Sequence, residues 1–416
     1  MTAAPRELVA ALSELWKLRA RPRDLLTATE FARVREVCLT AYPNAVSGFG
    51  FSFTLTNALE RLGAPYAEPH RPVMTGAEAA LRLHNAFTST RAQRVHLCPL
   101  DLGGEIPELI MGPLEVRRFT PAELLDLVDP LGFERIRPHW NFDARSFSQF
   151  TWLKVAEETE LAGEPGARTV PSLFLDLGED YGRIEPHRRR FPEAVENGLF
   201  GLLIAPWEDW TEYRDINWRC FTVPWAHTVD HDLFARSERP PPHETLTWVP
   251  DIIHLEDGDE IETERPEYYR VNHRISEARS WLTDATWNDV AAALQSPLLE
   301  TPVAHFLVRA FLSEGIDEFL AHLTMIEAAI GLPNDKTPAR KARLAALLDD
   351  PAAGGTYGRL FQRRSEFVHG RKMTDIPGAE RDEARILARR VAAQLVKKAA
   401  AGSHETRQTF LEQLAA

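Results

Sequence analysis

The chain of 416 residues is 44% hydrophobic and carries a formal charge of −13, enough apolar material for one large domain or two to three ordinary ones. That charge excludes a protein that coats nucleic acid over its whole surface, and no apolar run approaches the roughly 18 residues of a membrane-spanning helix. Three widely separated cysteines, Cys38, Cys98 and Cys220, supply neither a CxxC metal knuckle nor a disulfide framework, so a reduced, cytoplasmic protein without membrane attachment is expected.

The N-terminal "MTAAPRELVAALSELWKLRARPR" reads as an amphipathic helix, not a signal peptide. Residues 23–130 then mix helical patches, "SFTLTNALERLG" and "TPAELLDLV", with strand-like runs, "QRVHLCPL" and "LEVRRF". "GFGFSF", around Gly48 and Gly50, lacks the GxGxxG spacing of a dinucleotide loop and is expected to be a strand or turn. Residues 131–250 hold Trp140, Trp152, Trp207, Trp210, Trp218, Trp225 and Trp248, seven of the ten tryptophans. Core and cleft lining is their expected role, ahead of base stacking, with "SLFLDL" and "GLFGLLIAPW" as short strands between turns.

Two clusters in this stretch carry chemistry in their composition. "EPHRRRFPE" concentrates Arg188, Arg189 and Arg190 and reads as a salt-bridged loop before a phosphate contact. "HTVDHDLF" places His227, Asp230, His231 and Asp232 within six residues, the composition of a metal site or a phosphohydrolase. Proline and tryptophan flank it and no further histidines and aspartates fall at the distances such an enzyme needs, so no metal or other cofactor is expected.

Proline-rich "RSERPPPHETLTW" and acidic "LEDGDEIETERPE" interrupt the pattern, and the second is the candidate domain boundary. The expected fold class is α+β. Residues 1–260 form a mixed α/β sensor or regulatory region with a further division near 130, residues 261–295 a linker and lead-in helix, and residues 296–416 an all-α bundle. Residues 291–416 carry 17 Lys+Arg against 15 Asp+Glu, whereas residues 1–290 carry 31 against 46, so the C-terminal part is the electropositive end. "PVAHFLVRAFLSEGIDEFLAHLTMIEAAIGL" spaces Phe306, Leu307, Phe311, Phe319, Leu323 and Ile326 helically with a break near Gly315, the second helix starting at Ser313 or Asp317. "TPARKARLAALLDD" follows with Thr337 as N-cap and Pro338 in the first helical position, then "TYGRLFQRRSEFVHG", then "GAERDEARILARRVAAQLVKKAA" with acids early and bases late, as the helix dipole favours.

Within "RLFQRRSEFVHGRKM", Arg364 and His369 stand five residues apart. The spacing alone says little, because 41 arginines and 14 histidines make one or two chance matches. One such match is Arg91 and His96, on a strand where residues five apart face opposite sides. The context of the later pair is more specific: Glu327 on an earlier helix, then Tyr357, Arg364, Ser365, His369 and Gly370 in that order. In this, residues 295–400 resemble a HEPN domain, the all-α nucleotide-binding and RNase fold, in its Apea-like branch.

The resemblance implies metal-independent endoribonuclease chemistry, in bacterial anti-phage defence or as a toxin, in a homodimer. A neutral imidazole with a pKa near 6.5 can take the proton of a ribose 2′-hydroxyl as it attacks phosphorus, the role implied for His369. A planar, permanently charged guanidinium can hold two phosphoryl oxygens as negative charge builds, the role implied for Arg364. Ser365 would orient the histidine or the phosphate, and Glu327 would pair with Arg364. The expected RNA-binding residues are Arg359, Arg363, Arg371, Lys372 and Tyr357, and the expected partners RNA, a second copy of the chain, and a regulatory ligand or protein at residues 1–260. Products would be a 2′,3′-cyclic phosphate and a 5′-hydroxyl, with DNA resistant.

Geometry constrains this reading. Residues five apart on an ideal helix are offset by about 140°, so Arg364 and His369 share a phosphate only if the helix ends at His369, with Gly370 as its C′ residue, or if a second chain completes the site. The alternative of another class is a non-catalytic nucleotide- or partner-binding HEPN module in a regulatory complex.

Overall fold

The computed structural model describes the chain except residues 1–2, 19–24, 46–49, 65–73, 131–141, 171–189, 213, 215–216, 236–238, 255–258, 371–374, 403–405 and 415–416. "SLFLDL", Trp140, Gly48, Arg188, Arg189, Arg371 and Lys372 fall outside the described residues. Over the rest, helices surround a small antiparallel sheet and the C-terminal part is helical, the α+β class expected.

Four N-terminal helices, Arg6–Leu15, Thr29–Ala41, Phe51–Arg61 and Gly76–Thr88, enclose a core of their own. The first buries Leu8, Ala11, Leu12 and Leu15, the i, i+3, i+4, i+7 stripe of an amphipathic helix. Of "GFGFSF", Gly50 is a turn, one of the two expectations, and Phe51, Ser52 and Phe53 open a helix. Gly50, at φ +114°, turns the backbone through the left-handed region directly before the helix Phe51–Arg61, a conformation glycine adopts without steric cost.

The five-stranded sheet consists of β1 (Arg91–Leu100), β2 (Leu109–Met111), β3 (Leu114–Arg118), β4 (Thr151–Glu160) and β5 (His227–Asp230), in the order β2-β3-β4-β1-β5 with antiparallel neighbours. β1 and β3 are the strands read from "QRVHLCPL" and "LEVRRF". "GLFGLLIAPW" is a correction: the expected strand is the end of a helix, Glu193–Leu203. An unbroken apolar run has no period to separate helix from strand; the flanks decide, with Pro192 before the helix and Glu193 and Glu196 in its first turn. Gly198 lets this helix lie close on the sheet, because a Cβ there would stand 2.5 Å from Leu114 Cδ2.

The acidic stretch taken as a boundary contains a strand. Residues Glu260–Pro266 form β7, paired along its length with β6 (Trp248–His254). Such a hairpin hides its signature because both faces are wet: Ile252, Ile253 and Ile261 stay exposed, and no apolar alternation marks the strand. The main core runs without a break from Cys98 to Leu411, so sheet, central region and helical bundle share one interior.

Aromatic rings carry that continuity. Trp207 meets Trp210 edge-on at 4.9 Å and Phe221 at 5.3 Å, Phe221 lies 4.9 Å from Phe311, and Phe311 lies 5.6 Å from Trp218. Trp152, Trp207 and Trp210 are fully buried, the core role expected of them. The bundle comprises Asp284–Leu294, Val303–Leu312, Gly315–Ile330, Thr337–Leu348, Pro351–Val368, Gly378–Ala401 and Arg407–Gln413. The break falls at Ser313 and Glu314, so the second helix starts at Gly315 rather than Ser313 or Asp317. Lys336, not Thr337, is the N-cap before Pro338.

Two measurements test this interior. Phe311→Ala removes the ring between the central region and the bundle and should cost about 3–5 kcal/mol in denaturant unfolding; a loss below about 1 kcal/mol would place the ring outside a packed core. Burial pushes His227 down to about 4 and His322 down to about 3, so both fold neutral while the unfolded chain protonates them near 6.5. Their stabilisation is present above pH 6.5 and is lost as pH falls toward those values, by about 1.4 kcal/mol per pH unit for each group. Unfolding free energies at pH 7 and pH 5 should show the decline, and His322→Gln should flatten it.

Candidate functional site

Three helices build the site. Gly315–Ile330 carries Glu327, Pro351–Val368 carries Tyr357, Arg359, Arg363, Arg364 and Ser365, and Gly378–Ala401 packs alongside. The second of these begins with an Asp350 cap, whose side chain accepts from the Ala352 N–H, and Pro351 in the first turn. Its length brings its last turn across Glu327.

Arg364 and Glu327, 37 residues apart in sequence, meet at 3.2 Å through Nη1 and Oε1. This is the pairing the resemblance implies. Partial burial raises the Glu327 carboxyl above its ordinary range, against the opposing charges of Arg364 and Arg340. The Arg364 guanidinium also lies 5.9 Å from the centre of the Phe361 ring, with Arg340 at 6.0 Å. Phe361, Arg340 and the partners of the last helix are what the sequence reading missed; Phe361, three residues before Arg364 on one helix face, was the available signal.

Tyr357 requires a correction. Expected at an RNA surface, it is 0% exposed, beneath the Arg364–Glu327 pair and 5.8 Å from the Phe361 ring. It belongs to the interior stripe of Ala353, Gly354, Tyr357 and Leu360, and burial, with Glu327 adding, pushes its phenol up to about 12. It supports the site from below and cannot touch a substrate on the surface.

His369 stands at the free end. It is the C-cap residue, its backbone N–H donates to the Ser365 carbonyl at 3.0 Å, and the Gly370 N–H donates to the Phe367 carbonyl at 3.0 Å. Gly370 has φ +66°, the left-handed C′ geometry that favours glycine. The helix therefore ends at His369, as one of the two geometric possibilities requires, and the imidazole is exposed. Ser365 is half-buried and holds this turn through its carbonyl. No hydrogen bond among the described residues joins Arg364 to His369.

The basic face is less free than its composition suggests. Arg363 forks onto Glu380 with two bonds of 2.8 Å, and Arg359 onto Glu383 at 2.8 and 2.9 Å. Both acids lie in the first turns of Gly378–Ala401, so two expected RNA contacts are ion pairs between helices. The exposed Arg359–Glu383 pair is weak and the Arg363–Glu380 pair is part-buried, and a phosphate would have to displace both carboxylates to use these arginines.

The other clusters are structural. On β1, Arg91 pairs with Glu158 at 2.8 Å while His96 is buried between Thr228 (2.9 Å) and Glu157 (3.1 Å), so that Arg-x4-His match is a strand pattern. In "HTVDHDLF", Asp230 binds Arg94 at 2.7 Å and Asp232 binds buried Arg168. With their acids spent on arginines, His227 and His231 lack partners for a metal shell, and among the described residues no group of three or more His, Cys, Asp or Glu is disposed to hold a metal ion. Arg190 donates to the Pro224 carbonyl at 3.0 Å. Cys38, Cys98 and Cys220 are free and buried. Among the described residues no helix is long and apolar enough to cross a membrane.

Comparison with protein-family models, with curated proteins and with solved structures gives no match for this chain.

The Arg364–Glu327 contact has a direct signature. Arg364→Ala removes a charge that lowers the Glu327 carboxyl, so the pKa of Glu327 should rise above its wild-type value in a carboxyl ¹³C titration. An unchanged titration would mean that the pair does not form in solution.

Proposed function

We propose that the protein is a metal-independent endoribonuclease of HEPN type, with His369 and Arg364 as its catalytic residues. The observation that carries this reading is the 3.2 Å contact of Glu327 with Arg364, on the same helix whose C-cap is the exposed His369. Glu327 holds the Arg364 fork while leaving it part-exposed, and the C-terminal turn leaves the imidazole open to solvent. The residue order Glu327, Tyr357, Arg364, Ser365, His369 and Gly370, and its likeness to the HEPN pattern, add to it.

In this mechanism neutral His369 takes the 2′-hydroxyl proton, the 2′-oxygen bonds to phosphorus, and the bond to the 5′-oxygen breaks. The departing oxygen takes a proton from an imidazolium, leaving a 2′,3′-cyclic phosphate and a 5′-hydroxyl. Arg364 neutralises the phosphoryl oxygens as charge accumulates. The helix ends at His369, which frees the imidazole to reach the phosphate held by Arg364, and a second chain, as the resemblance implies, supplies the His369 that acts as the acid. Val368, 57% exposed beside His369, gives apolar surface for that pairing. A setting in anti-phage defence or as a toxin follows from the same likeness.

One observation favours a second reading, a non-catalytic nucleotide- or partner-binding HEPN module. Arg359 and Arg363 are already neutralised by Glu383 and Glu380, which removes two of the cations an RNA channel needs.

Incubation of the purified protein with RNA in EDTA, followed by end-group analysis, separates the two. The nuclease reading expects cyclic phosphate ends, with loss of 10²-fold or more in His369→Ala and Arg364→Ala. Equal cleavage by wild type and both variants overturns the assignment of these residues, and absence of cleavage favours the binding module.

A further inference from the structure

Away from this site, a cavity of about 310 Å³ opens where the central region meets the bundle. Arg214 and Arg219 line it from the central region and Arg381 and Arg385 from the last long helix. The acids lining it are Glu314, Glu318 and Asp382, and Asp209 pairs with Arg214 from outside the wall at 3.6 Å. Glu318 is engaged by both Arg385 (2.9 Å) and Arg219 (3.5 Å), and Asp382 by Arg385 at 2.7 Å.

What distinguishes the cavity is its supply of idle donors. Trp218 is only 6% exposed, yet its indole N–H has no hydrogen-bond partner among the described residues. The Nε–H groups of Arg214 and Arg381 are likewise buried and unpartnered; Arg214 Nε stands 3.5 Å from Asp382, too poorly aligned for a hydrogen bond. Buried polar groups are normally satisfied, and leaving one bare costs free energy. Gly378, the first residue of Gly378–Ala401, also lines the wall, and Pro377 before it gives no side-chain cap, so the N–H groups of Gly378 and Ala379 and the positive end of the dipole add to the donors.

We propose that this cavity binds the phosphate of a small phosphorylated ligand no larger than a mononucleotide. A carboxylate spreads its acceptor sites in one plane, whereas a phosphate monoester presents three terminal oxygens in a tetrahedral array, suited to donors that come from an indole, two guanidinium edges and a helix start on different elements. The volume exceeds that of the anion alone and leaves room for the group esterified to it. The site lies on the first turns of Gly378–Ala401, whose Glu380 and Glu383 hold Arg363 and Arg359 from another side. Occupancy therefore bears on the arginine-bearing helix without contact between the two sites.

Thermal unfolding of the full chain with AMP, inorganic phosphate or adenosine tests this without reference to RNA cleavage, so its failure and that of the nuclease reading are separate results. AMP and phosphate at about 100 times their Kd should raise Tm by roughly 2–5 °C, and adenosine should not. Arg381→Gln and Arg214→Gln, on separate elements and both part-exposed, should each abolish the shift; one folded variant suffices. A larger effect of AMP at equal concentration identifies the ester as the ligand class, and an equal effect identifies the free anion. No shift with either anion, or a shift retained in the folded variants, overturns the proposal.

Discussion

A single buried carboxylate, Glu318, fixes how the helical bundle sits on the rest of the molecule. It is 3% exposed and takes Arg385 of the last long helix in a fork at 2.9 and 3.1 Å and Arg219 of the central region at 3.5 Å. Arg219 in turn donates through Nε to the carbonyl of Phe311 at 2.6 Å, and Arg385 lies 4.2 Å from the Trp218 ring. Burying three charges is tolerated only with this degree of pairing. A second buried acid, Glu208, repeats the arrangement with Arg389 one turn further along. The last helix is thereby held to the central region along one side, and its first turns have little freedom to rotate.

From that anchored helix the candidate active site inherits an asymmetry. Glu380 and Glu383 meet Arg363 and Arg359, and the arginine-bearing helix then presents Arg364 to Glu327. Arg364 is thus positioned by packing, by its partner and by the Phe361 ring together. His369 has none of this support: its helix has ended, Gly370 turns the chain away, and the ring faces solvent. A fixed electrostatic group beside a free acid–base group suits a site that becomes complete only when a substrate or a second chain arrives, because the ordering cost then falls at assembly.

Much of the bundle was legible in the sequence because helices of this length advertise a 3.6-residue period and punctuated ends. Pro338, the break near Gly315 and the C′ role of Gly370 were readable from single residues, and the Arg364–Glu327 pair from the order of motifs. What remained hidden was non-local or lacked a period. "GLFGLLIAPW" is apolar on every side and so fits helix and strand alike, while the β7 strand is wet on both faces and so resembles a linker. Tyr357 is ambiguous by chemistry, since a phenol suits a stacking surface and an interior equally. Glu318 finds its arginines 99 and 67 residues away, and no local rule announces such a pairing. The hint was positional: Glu318 and Arg385 fall on the apolar faces of their own helices, where an unpaired charge could not stay.

The two faces of Gly378–Ala401 connect these observations. Within six residues Glu380 and Glu383 turn toward the arginine-bearing helix while Arg381, Asp382 and Arg385 line the cavity. A helical turn moves as a unit because its backbone hydrogen bonds tie each residue to the fourth before it. Arg381 and the carboxylates that neutralise Arg359 and Arg363 thus share one stretch of helix. Exposed ion pairs of this kind are weak enough to be exchanged, whereas the Glu318 forks beneath them are not. The exchangeable contacts thus face the candidate active site, and the firmly paired ones face the core.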